Sequence, residues 1–232
     1  MDRNVQQLEV LNGGSAYGVD THKVLRNTYW LLALSMVPTV LGAWIGVQTG
    51  IVSHMTPGMS FIVFMVGAYG LMFGVQATRN SGAGVAMMLA FTFFMGLMLS
   101  RLVGQVLGGY TNGASIVMTA FGGTAGVFFG MATLATVVKR DLSGLTRFLM
   151  IGAIIAIVAS LINIFVQSTA AMLAISTAVM VIFSLFVMVD IKRVIDGGET
   201  NYVMATLAIY LDLYNVFQSL LILLTSLTGN RR

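Results

Sequence analysis

Ala205 to Leu224 reads ATLAIYLDLYNVFQSLLILL, twenty residues that decide how the rest of the chain is understood. The stretch is long and apolar enough to cross a bilayer, yet Asp212 sits near its middle. A carboxylate at that depth costs roughly 2.5–3.5 kcal/mol on insertion scales, so it seldom occurs without a role. Asn215 and Ser219 follow Asp212 at i+3 and i+7, which places all three on one face of a helix. The other flanks are Leu, Ile, Val and Phe, so the polar stripe is expected to face the interior of a bundle. A packing role through hydrogen bonds to neighbouring helices is the plainer alternative for Asp212.

The surrounding composition agrees with a membrane setting. Of 232 residues, 57% are hydrophobic and 9% charged, and the mean hydropathy is +0.91. Soluble domains carry about 25% charged residues, so the chain reads as a polytopic membrane protein. The net charge of +4 comes from basic residues in short loops between apolar runs, which fits topology determination and not nucleic-acid binding. The absence of cysteine excludes disulfides, thiol catalysis and Cys-type metal centres. No apolar core precedes residue 28, so no cleavable signal peptide is expected and the first span serves as the insertion signal.

Seven stretches approach the ~20 residues that a helix needs to cross the hydrocarbon layer. They run from about Tyr29 to Val47, Phe61 to Thr78, Gly84 to Val103, Ala114 to Val138, Phe148 to Val166 and Met172 to Ile191, with Ala205 to Leu224 the last. Gln48 to Ser60, with Pro57, and the glycine-rich Gly104 to Gly113 are expected as loops, and Pro38 as a kink. The organisation is thus a flexible cytoplasmic tail, residues 1–28, that enters a helix near Thr21, and a seven-span domain, residues 29–229. With the N-terminus inside, inner segments hold Arg3, Lys23, Arg26, Arg79, Lys139, Arg140, Arg147, Lys192 and Arg193, and outer ones Arg101, Arg231 and Arg232. Nine against three sets the N-terminus in the cytoplasm and the C-terminus outside. The fold class is an all-α membrane bundle with the seventh helix central.

Glycines at four-residue spacing (Gly42 and Gly46; Gly70 and Gly74; Gly122, Gly126 and Gly130) read as ridges for close helix packing. The run Gly122 to Gly126 is not a nucleotide loop, since it follows no strand and has no Lys. The methionines form no cluster and read as filler.

Two acidic residues lie within or at the edge of the spans, Asp190 near the inner end of the sixth and Asp212 in the seventh. Antiparallel helices joined by a short loop would bring both carboxylates to the inner half of the bundle. If they meet, burial and like charge disfavour the doubly ionised state, and a pH-responsive latch between two helices becomes possible. The alternative pairs Asp190 with Lys192 or Arg193 at the membrane surface. Ser160, Asn163 and Gln167 form a third polar set at i, i+3 and i+7, as interhelical glue or as the lining of a wet path beside Asp212. Enzymatic readings fail on their motifs. No Gly-x-Gly-Asp precedes either aspartate, no proline follows Pro57, and both histidines, His22 and His54, fall outside the spans. The chain is therefore read as not an enzyme, without cofactor or bound metal.

Gly197-Gly198-Glu199-Thr200-Asn201-Tyr202, followed by Tyr210-Leu211-Asp212-Leu213-Tyr214-Asn215-Val216-Phe217, resembles the Bax-inhibitor family of seven-span proteins. Thr21 to Tyr29, Tyr69 to Phe73 and Gly122 to Ala125 resemble its bacterial YccA branch, and the likeness extends from Thr21 to Leu224. The resemblance implies an inner-membrane modulator or substrate of the ATP-dependent protease FtsH, engaged through a cytosolic tail from Met1 to about Lys23. For the wider family it implies a pH-sensitive calcium leak, with calcium ions or protons as what passes. There Asp190 and Asp212 would be the paired aspartates, beside Asn215, and Arg79 the basic residue at the end of the second helix. The implied surroundings are the bacterial inner membrane and its lipids.

Overall fold

In a computed structural model, residues 20–230 are described, and seven α-helices account for nearly all of them. They are α1 (Thr21–Thr49), α2 (Pro57–Thr78), α3 (Gly82–Gly109), α4 (Gly113–Val137), α5 (Ser143–Val166), α6 (Thr169–Ile195) and α7 (Tyr202–Thr228). All seven are long and apolar enough to cross a membrane. Helices meet the demand of a bilayer interior because each satisfies its own backbone N–H and C=O groups. The expected tail up to Asp20, and Arg231 and Arg232, lie outside the described residues apart from Asp20 itself.

Several boundaries differ from those expected, each for a local reason. The first helix starts at Thr21, as expected and eight residues before the apolar stretch, because the Asp20 carboxylate caps it through the Lys23 N–H at 3.2 Å. Pro57 is not a loop residue. It occupies the first turn of α2, where its missing N–H costs nothing, behind a Thr56 cap on the Met59 N–H. Gly104 to Gly109 continue α3 despite their glycines, and only the turn at Tyr110 to Asn112 separates it from α4. Pro38 lies within an unbroken α1, where the Ser35 and Thr39 hydroxyls bond to the Leu32 and Ser35 carbonyls at 2.8 Å.

Helix α7 is central, packing against α1, α2, α3, α4 and α6. Half of its most apolar window is buried, more than for any other helix. Helix α5 is peripheral. It packs against α6 alone and turns Phe148, Ile151, Ile155, Ile162 and Phe165 outward.

The α1–α3 seam is the tightest. A Cβ added at Gly42 would fall on the Phe93 carbonyl oxygen, one at Gly46 on the Ser100 hydroxyl, and one at Gly96 on the Thr39 carbonyl. Here the glycine ridge does what its spacing promised. On α4 it does not, since Gly122, Gly126 and Gly130 have nothing within 4 Å of an added Cβ and are exposed.

Candidate functional site: a carboxyl pair between α6 and α7

The GGETN turn builds the site. Gly197 takes a left-handed φ of 77°, open to glycine at little cost. The N–H groups of Gly198 and Glu199 then fold back on the Arg193 carbonyl at 2.8 and 3.2 Å, so α6 reverses within six residues. Asn201 starts α7 by accepting from the Val203 and Met204 N–H groups at 3.0 and 3.1 Å. Its amide nitrogen donates to the Arg79 carbonyl at 3.0 Å and to Asn80 at 2.9 Å, fastening this turn to the one between α2 and α3.

This reversal turns the carboxyl groups of Asp190 and Asp212 toward each other. Asp212 is only 6% exposed. Its Oδ2 is fully enclosed and meets no N–H or hydroxyl donor among the described residues. The group beside it is the Asp190 carboxyl, with which Asp212 makes a side-chain hydrogen bond when one proton is shared between them. Asp190 is half-buried and lines a small cleft of about 20 Å³, room for a single water, with Arg193, Glu199, Met204, Ala205 and Ala208. Asp190, but not the enclosed Asp212, therefore borders space at the end of the bundle that holds the GGETN turn. Lys192 is engaged elsewhere, in an ion pair with Asp196 one turn on, so of the two expected surface partners only Arg193 stands beside Asp190.

The other site residues are placed less directly. The Asn215 amide donates to the Leu211 carbonyl of its own helix at 2.8 Å, while Ser219 is buried on the same face as Asp212. The side chain of Arg79 is exposed, and what reaches α7 is its backbone carbonyl. The set Ser160, Asn163 and Gln167 does not line a path with Asp212, because α5 does not touch α7. Ser160 bonds to the Ala156 carbonyl, Asn163 caps the following turn through the Ser168 N–H, and Gln167 ends the helix with φ 52°. Among the described residues no group of three acidic or histidine side chains is arranged to hold a metal ion.

The opposite side of α7 carries polar groups to which the sequence reading gave no role. The Thr206 hydroxyl bonds to the Thr28 carbonyl at 3.3 Å. Tyr210 OH and Thr39 Oγ1 are 2.9 Å apart, and Tyr210 also donates to the Thr92 carbonyl at 3.4 Å. Tyr214 donates to the Met95 carbonyl at 3.4 Å. These three residues recur at i, i+4 and i+8, a spacing visible in the sequence.

A chain that places this turn, this pair and seven such helices together matches the family model described as "Inhibitor of apoptosis-promoting Bax1" over residues 21–229. It belongs to that family. The protein named "Modulator of FtsH protease YccA" of Escherichia coli K12 is 38% identical over 208 residues, 89% of this chain and 91% of its own length. Its counterpart in Escherichia coli O6:H1, named "Inner membrane protein YccA", matches equally well. A membrane protein of Vibrio cholerae is 38% identical over 91% of this chain and 93% of its own. The chain is thus a multi-pass membrane protein of the Bax-inhibitor family, similar over nearly its whole length to the YccA proteins.

Proposed function

We propose that this protein modulates an FtsH-type protease in the bacterial inner membrane, with its N-terminal segment in the cytoplasm as the element engaged. The observation that carries this reading is the 38% identity to a named modulator of that protease across 89% of the chain. The charge distribution supports the orientation. Among the described residues Lys23, Arg26, Arg79, Lys139, Arg140, Arg147, Lys192 and Arg193 belong to the end with the GGETN turn, and Arg101 alone to the other half. The test is degradation of a membrane-protein client by the purified protease, with and without this chain. The full chain is expected to slow client turnover, and a chain lacking residues 1–20 to leave it unchanged. Equal inhibition by both would remove the tail from the mechanism.

A second reading, an ion leak for calcium or protons, is supported by the two facing carboxyls and the water-sized cleft beside Asp190. Facing carboxyls exchange a proton for mutual repulsion, so the α6–α7 seam is where a path would open. Calcium and proton flux into proteoliposomes across a pH series is expected to change with Asp190→Asn and with Asp212→Asn, while tail-dependent protease inhibition stays intact. No flux above empty liposomes, with the protein folded, would sink the leak.

A further inference from the structure

Arg101 is the one basic residue among the described residues that lies in the half of the bundle remote from the carboxyl pair, and it lies within a span. Helices α2 and α3 run antiparallel in a regular register. The space of the absent Cβ at Gly74 is taken by Met87, that at Gly67 by Phe94, and seven residues on Ser60 meets Arg101. Two apolar contacts are thus followed by a polar one at the end of the seam. Arg101 Nη1 donates to Ser60 Oγ at 3.2 Å, and this is the only side-chain hydrogen bond that either residue makes among the described residues. No carboxylate there pairs with Arg101. Its remaining N–H donors, and the hydroxyl hydrogen of Ser60, are left for another acceptor.

The depth tells which acceptor. Helix α3 has 28 residues, about 42 Å at 1.5 Å per residue, against a hydrocarbon core of about 30 Å. Centred in that layer and untilted, it would overhang by about 6 Å at each end, and Arg101, eight residues from Gly109, would have its backbone about 6 Å inside the boundary. An extended arginine covers that distance, so the guanidinium reaches the layer where phosphates lie. A planar fork of donors with a hydroxyl beside it suits phosphate oxygens, which it binds in a bidentate manner. Beside Ser60 on α2, Phe61 is exposed apolar surface for an acyl chain.

We propose that Arg101 and Ser60 form a binding site for the phosphate of a phospholipid headgroup, in the leaflet remote from the carboxyl pair. The site is independent of both functional readings above. The test is native mass spectrometry of the full chain after incubation with phosphatidylethanolamine–phosphatidylglycerol vesicles. The parent is expected to retain one phospholipid at the lowest lipid concentrations. Arg101→Gln should need about tenfold more lipid for the same occupancy, with Arg101→Lys between them, since a lysine keeps the charge and loses the fork. Equal retention by Arg101→Gln overturns the proposal. If that variant does not fold, Ser60→Ala and a change of lipid carry the test. The alanine variant should retain several-fold less, and the parent should retain no digalactosyldiacylglycerol, which lacks phosphate. Retention of the galactolipid, or displacement of phospholipid by excess inorganic phosphate, would each refute a headgroup site.

Discussion

Helix α7 is held on two sides by opposite chemistry. Toward α1 and α3 it offers Thr206, Tyr210 and Tyr214, whose hydroxyls meet backbone carbonyls and one threonine. These partners are uncharged and cannot titrate near neutral pH, and behind them α1 and α3 touch backbone to backbone at Gly42 and Gly96. Toward α6 it offers Asp212, enclosed and facing the Asp190 carboxyl. One side is fixed by groups whose state does not change with conditions. The other sets two carboxyl groups face to face. The difference teaches where the proposed leak would have to act: at the carboxyl seam between α6 and α7, and not where α7 meets α1 and α3 through hydroxyls.

The strongest way to break this contrast is to spoil the fixed side. Gly42→Val would drive a branched side chain into the Phe93 carbonyl, at a cost of about 3 kcal/mol or more, since backbone must shift. The expected outcome in a thermal or denaturant unfolding series is a large loss of folded protein. Gly126→Ala, on a glycine with open space around it, should stay within about 0.5 kcal/mol of the parent. Should the two variants behave alike, the α1–α3 seam is not the rigid element.

A gentler change sharpens the comparison. Tyr210→Phe removes the hydroxyl that meets Thr39 and the Thr92 carbonyl, and the expected loss is about 1 kcal/mol. Adding Thr39→Val to that background should cost less than Thr39→Val alone, because the shared contact is already gone. Purely additive losses in the same unfolding assay would mean the two hydroxyls are not coupled.

The smallest effect is expected outside the spans. The Ser143 hydroxyl and N–H beside Asp141, at 2.6 and 3.0 Å, hold its carboxyl below the ordinary value of 3.8. A depressed folded pKa contributes stability that is present above the unfolded value and lost as pH falls through the folded one. Asp141→Ala should therefore lower the unfolding midpoint slightly at neutral pH. The gap to the parent should shrink as the pH is taken below about 4.

Seven spans and the central place of the last could be read from apolar runs and from the polar stripe that Asp212 begins. Such runs show where helices lie, but not their ends. Caps at Asp20 and Thr56 lengthened α1 and α2 beyond the apolar stretches, and glycines at 104, 108 and 109 did not stop α3 inside a packed bundle. Glycine spacing was equally incomplete, since Gly42 and Gly126 look alike until a neighbour is placed beside one of them. For the carboxyl pair, residue types announced Asp190 and Asp212. Whether they face depends on how far the GGETN turn rotates α7 against α6, a property of the Arg193 carbonyl and Gly197 that no periodicity records. Ser160, Asn163 and Gln167 misled for the converse reason, because their polarity serves the local backbone. The i, i+4, i+8 recurrence of Thr206, Tyr210 and Tyr214 was present in the sequence and could have been followed.

Helix α7 is also the last of the seven to be synthesised, and its end is stitched to the α3–α4 turn. Asn230 and Thr228 exchange hydrogen bonds with Thr111 and Asn112, more than a hundred residues upstream, at 2.7 to 3.2 Å. The chain therefore threads its axle after its rim. Six helices precede, in chain order, the one that most of them pack around. A ribosome that stalls before Tyr202 leaves Asp190 with no partner carboxyl and the α3–α4 turn unclasped. A single helix, α7, thus fastens both ends of the bundle, through Asn201 at one and Thr228 and Asn230 at the other.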